Sequence, residues 1–238
     1  MSIPLTVIIH EVGHLLAGLL SGYRFFYIKF FALAIYMNSA KKGFEIKSQS
    51  PIGQCIMYSE DSGKKPFGLI LGGCIFNGII GLISLVFSFS DDLHLLSILF
   101  PFAVVNISLA VSNTFSNSLY CDGRTFRECV NSVQDMIAYN NIMQITRHLE
   151  CGFTPAQLPQ VLLEHYSGDS RSSISSEIEI YAYLKEKEIF AGESSCDEKC
   201  RQMLCRLEGY DESLEIRAFV LKEKSFFEKA AKERKSIG

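Results

Sequence analysis

His10, Glu11 and His14 are the residues in this sequence best equipped for chemistry. Two histidines four apart share one face of a helix. At that spacing two imidazoles can hold one tetrahedral zinc ion, and a glutamate beside the first can act as general base on a water at the metal. The pattern occurs by chance in many chains, so its surroundings matter. Here it lies inside the apolar run Ile3 to Leu20. Ionisable groups in hydrocarbon are costly, and three within two turns need a functional reason.

Zinc in a catalytic site takes a third protein ligand and keeps one position open. Asp122, in Cys121-Asp122-Gly123, is the candidate, with Gly123 allowing a tight backbone turn after it. His94 starts another apolar run on its far side, and His148 and His165 lie in a polar region, so none of these is as well placed. Cys121 beside Asp122 is a weaker candidate, because a fourth ligand would close the open position.

Three apolar runs must carry these groups. Ile3 to Leu20 has Pro4 in its first turn and Ser21-Gly22 as a stop signal. Pro66 to Phe89 holds no charge and has glycines at 68, 72, 73, 78 and 81, which let membrane helices approach closely. Leu93 to Phe115 is interrupted by His94, Pro101, Asn106 and Asn113. Each is near the ~20 residues that span a bilayer. Between the first two, residues 23–58 are rich in aromatic and branched side chains and predict short strands, with turns near Asn38-Ser39 and Lys42-Gly43.

From Arg124 onward the chain is polar and charged. Arg124 to Leu149, Pro155 to Tyr166, Glu177 to Glu188, Asp197 to Leu207 and Asp211 to Lys235 predict helices, with Gly168 to Ser176 a Ser-rich linker. The expected fold is therefore mainly α: three core transmembrane helices, a β-rich loop after the first, and a helical C-terminal region. The expected boundary falls at 123/124.

The 238 residues carry a net charge of −3. With no massed basic helix, this argues against nucleic acid as a partner. The mean hydropathy of +0.17 averages two unlike halves. Eight scattered cysteines predict separate thiols rather than a disulfide framework, and Cys196, Cys200 and Cys205 lack the spacing of a zinc knuckle. The start has no basic stretch typical of a cleaved signal peptide, and nine residues precede His10, making that helix short on one side. Lysines and arginines crowd the segment between the first two runs, whereas Ser90-Asp91-Asp92 separates the second and third. The positive-inside rule then puts the β-rich loop and the C-terminal region in the cytoplasm of a multi-pass cell-membrane protein.

At this point the chain resembles the site-2 protease family of intramembrane zinc metalloproteases, peptidase family M50. The resemblance covers about residues 1–125. It rests on His10-Glu11-Val12-Gly13-His14, on Gly72-Gly73-Cys74-Ile75-Phe76-Asn77, and on Asn113 followed by Asp122-Gly123. Cys74 stands where the family has proline, and no proline lies between Asn113 and Asp122. The resemblance implies a zinc endopeptidase cutting a membrane-anchored protein or peptide, with Glu11 catalytic and His10, His14 and Asp122 as ligands. It implies that the amide of Asn77 or Asn113 helps stabilise the oxyanion or position substrate, and that the β-rich loop presents substrate. A non-catalytic membrane scaffold, whose C-terminal helices bind a protein partner, is the competing reading.

Overall fold

A computed structural model describes residues 2–37, 41–47, 52–89, 93–118, 121–163, 172–190, 194–208 and 214–237. It is mainly helical, with one small antiparallel sheet. The chain divides into two units, residues 1–136 and 137–238.

In the first unit, α1 (Ser2–Leu20) ends in a Schellman motif. Gly22 has φ +74°, its N–H donates to Leu19 O, and Tyr23 N–H donates to Gly18 O. Glycine takes this left-handed conformation without a Cβ penalty, and the motif turns the chain straight into a sheet. The strands are β1 (Arg24–Phe30), β2 (Leu33–Met37), β3 (Lys42–Ile46) and β4 (Gly53–Tyr58). Their order is β3-β2-β1-β4, with every neighbour antiparallel. Phe26, Tyr27, Tyr36, Met57 and Tyr58 form the sheet's buried part. Lys42-Gly43, expected as a turn, lies inside β3 opposite Met37 and Tyr36. Gly43 takes φ +127° there, so the glycine supplies an unusual backbone angle within a strand rather than a reversal. The turn expected at Asn38-Ser39 and the acidic turn at 90–92 lie outside the described residues.

Two further long helices follow, α2 (Phe67–Ser88) and α3 (Leu93–Phe115). With α1 they make three helices long and apolar enough to cross a membrane, of mean hydropathy 1.6, 2.3 and 1.7. The glycines of α2 do bring helices together. A Cβ at Gly72 would lie 2.5 Å from Gly13 O, and one at Gly81 would lie 2.7 Å from Ile107 Cγ1. Asn106, buried in α3, donates to Thr6 Oγ1 of α1 at 3.1 Å. A short helix, α4 (Asp122–Asn131), closes this part of the chain.

The single helix expected over Arg124 to Leu149 is two, because Ser132 is extended (φ −140°, ψ 119°) and ends α4. Its hydroxyl then accepts from the Asp135 N–H at 3.1 Å, capping α5 (Val133–Glu150). Pro155 to Tyr166 is also not one helix. Over its described part it forms two 3-10 turns, Pro155–Gln157 and Gln160–Leu162, because Pro155 and Pro159 each restrict the chain at the start of a turn.

In the second unit, α6 (Ser173–Ile189), α7 (Ser194–Glu208) and α8 (Leu214–Ile237) pack around Tyr183, Leu204, Leu207, Val220 and Phe227. Over its described part the expected linker begins α6 instead, with Ser173, Ser175 and Ser176 in the helix. Ser172 Oγ accepts from the Ser175 N–H and caps the helix.

Candidate metal centre

Four helices meet to build the site. His10 and His14 project from one face of α1, as their spacing requires. Their rings meet edge to face with centroids 4.6 Å apart. Asp122, the first residue of α4, comes to them from the far end of α3. His10 Nε2 lies 3.1 Å from Asp122 Oδ2, His14 Nε2 lies 3.4 Å from it, and the two Nε2 atoms are 3.1 Å apart.

Those distances test whether zinc fits. With Zn–N and Zn–O bonds of about 2.05 Å, two ligand atoms of a tetrahedral site are about 3.3 Å apart. The three atoms therefore form one face of such a tetrahedron, and two imidazoles with a carboxylate are a donor set zinc accepts. His14 Nδ1 lies 2.7 Å from Leu69 O, a carbonyl that only accepts, so a proton belongs on Nδ1 and Nε2 is the atom turned toward Asp122. Among the described residues, these three make the group able to hold a metal ion.

Burial works against the charge of Asp122, yet the His10 and His14 imidazoles beside it hold its carboxyl below the usual carboxylate range. Its Oδ2 also accepts from Asn113 Nδ2 at 3.1 Å and from the Cys74 thiol at 3.4 Å. Asn113 Nδ2 is in turn 3.2 Å from His10 Nε2. Asn77, fully buried, places Nδ2 3.2 Å from His10 Nδ1. The residues expected at the site thus reach one place: Glu11 beside the candidate ligands, Asn77 behind His10, and Asn113 beside Asp122. His94 and His148 form no part of it, and His165 lies outside the described residues.

Glycines make the convergence sterically possible. A Cβ at Gly73 would lie 2.5 Å from His14 Nε2 and 2.6 Å from His10 Cε1. A Cβ at Gly53, where β4 begins, would collide with Glu11 Oε1. Gly123 serves space and not a turn. It is helical, and a Cβ there would run into the Thr114 backbone, which α4 must approach for Asp122 to reach the histidines. Sequence reasoning missed the Leu69 carbonyl, the Cys74 contact and the roles of Gly53 and Gly73. Only Gly73 left a signal, as one of a glycine pair in an apolar run, and helix packing explained it equally well.

Among the described residues the cysteines are separate thiols, as expected. Cys55, Cys74, Cys121, Cys129, Cys151, Cys200 and Cys205 are unpaired. Cys200 is buried and Cys205 exposed, and the side chain of Cys196 lies outside the described residues. Cys121 is not part of the metal-holding group.

The model of the Peptidase M50B-like family matches residues 3–121, which hold His10, Glu11, His14, Asn77 and Asn113 and stop one residue short of Asp122. Comparison with curated proteins and with solved structures gave no match.

Proposed function

The chain belongs to the Peptidase M50B-like family, and from that membership we propose that it is a zinc endopeptidase that hydrolyses a peptide bond in or near a transmembrane segment of a membrane-anchored protein or peptide. The observation that carries this reading is the triangle of His10 Nε2, His14 Nε2 and Asp122 Oδ2, with edges of 3.1 to 3.4 Å, next to Glu11. The three ligand residues would hold the ion. Zinc bound there would supply Lewis acidity, polarising the scissile carbonyl and the attacking water.

The protein's own groups do the rest. Glu11 takes a proton from the attacking water and passes it to the leaving amine as the C–N bond breaks. The Asn113 amide, beside the ligands, offers an N–H to the carbonyl oxygen as it gains negative charge. A peptide bond in a helix is sheltered, so the substrate must unwind first. Among the described residues β4 is an edge strand that starts at Glu11, and an unwound substrate can pair along such an edge.

In this reading α1, α2 and α3 cross the cell membrane, and the basic β-rich segment and the C-terminal helices face the cytoplasm, where those helices offer a surface to a protein partner. Lys and Arg crowding between the first two helices supports that orientation. Co-expression with a model transmembrane substrate tests the activity. Wild-type protein cleaves it and Glu11→Gln does not. Cleavage that survives Glu11→Gln overturns the mechanism.

A further inference from the structure

Asn77 Oδ1 is sealed from solvent and has no hydrogen-bond partner. An orphaned buried acceptor is costly, and here it belongs to a side chain whose other end faces His10 Nδ1 at 3.2 Å. A neutral imidazole carries one proton. When His10 Nε2 gives its lone pair to a metal shared with His14 and Asp122, that proton is on Nδ1. An Nδ1–H facing an NH2 group is a donor facing a donor. The planar amide resolves this with a half-turn about Cβ–Cγ, which exchanges oxygen and nitrogen. Oδ1 then accepts from Nδ1–H, and no existing bond is lost at the position it leaves, because it has none there.

We propose that Asn77 is a positioning residue for His10, its carbonyl oxygen accepting the Nδ1 proton so that Nε2 is committed to the metal. The inference rests on the zinc-peptidase reading above. It separates the two asparagines: an oxyanion needs a donated N–H, whereas His10 needs an acceptor oxygen. The same device serves the other ligand, since His14 Nδ1 faces the Leu69 carbonyl. Both acceptors come from α2, one backbone and one side chain, so α2 orients both imidazoles while contributing no ligand.

The full-length protein in detergent tests this, with zinc affinity measured by competition against a chromophoric chelator and with substrate cleavage measured in parallel. Asn77→Asp keeps acceptor oxygens and removes the N–H. Asn77→Leu keeps approximate size and removes both. Expected are zinc affinity within about threefold of wild type and retained cleavage for Asn77→Asp. For Asn77→Leu, zinc binding weakens about 10- to 100-fold, the usual effect of losing the partner of a metal-bound histidine. Should Asn77→Leu not fold, Asn77→Asp still decides. Normal zinc binding with cleavage as low as in Glu11→Gln makes Asn77 an oxyanion donor and overturns the proposal. So does a folded Asn77→Asp that loses zinc, or an Asn77→Leu that binds it like wild type. Wild-type protein that binds no zinc takes down the metal-site reading itself, and this proposal with it.

Discussion

His10 Nε2 lies 3.1 Å from Asp122 Oδ2, although two long helices and a sheet separate them in sequence. Because Asp122 arrives from its own short helix, its removal leaves α1 and both histidines in place. Asp122→Ala should therefore fold and lose zinc. Two imidazoles alone hold the ion weakly, so affinity should fall by more than the roughly hundredfold typical of an outer-shell partner. Metal analysis of purified protein checks this, and equal zinc in both proteins would remove Asp122 as a ligand.

Glu11 can be disturbed without touching it. Gly53 leaves room for its carboxylate, and a methyl group there would also stand 2.9 Å from Val7 Cγ1. Gly53→Ala should displace Oε1 while leaving the three ligands alone. The expected outcome is unchanged zinc content with cleavage slowed at least about tenfold, since displacing a catalytic group by an ångström can cost up to about a hundredfold. Cleavage at the wild-type rate would mean that β4 does not set the position of Glu11.

The Asn106–Thr6 hydrogen bond ties α3 to α1 at 3.1 Å. Such bonds between membrane helices are worth roughly 0.6 to 2 kcal/mol. A double-mutant cycle of Asn106→Leu and Thr6→Val should give a coupling of that size in unfolding of the full chain in detergent. Strictly additive effects would show that helix packing, not this bond, holds the pair.

The three long helices were legible because a long, mostly apolar run is enough to specify each, even with a few polar residues inside it. The candidate ligands stood out because metal chemistry constrains residue type and spacing so tightly. Smaller features were not. Ser132 ends one helix and caps the next, yet the apolar periodicity runs straight past it. Ser172 and its neighbours have linker composition, but one of them is a helix cap. Gly123 resembles a turn glycine, whereas its lack of a side chain lets α4 approach the Thr114 backbone. In each case the deciding contact comes from the local backbone or from another element, and neither is written in residue type alone.

Glu177 makes the C-terminal helices sensitive to pH. It sits half-buried in α6, where burial pushes its carboxyl from 4.5 up to about 7, against a hydrogen bond with Tyr181. The folded state thus holds this proton more tightly than the unfolded one. The group's favourable contribution is complete below pH 4.5 and is lost as pH rises through about 7. A displacement of that size is worth at most about 3 kcal/mol, less where water reaches the carboxyl. Glu177→Gln, which keeps the shape and removes the charge, should raise the melting temperature at pH 8 and change it little at pH 4. Helical circular dichroism of the full chain in detergent, wild type against variant at both pH values, reads this directly. A gain at pH 4 equal to that at pH 8 would mean the substitution acts through packing and not through the buried charge.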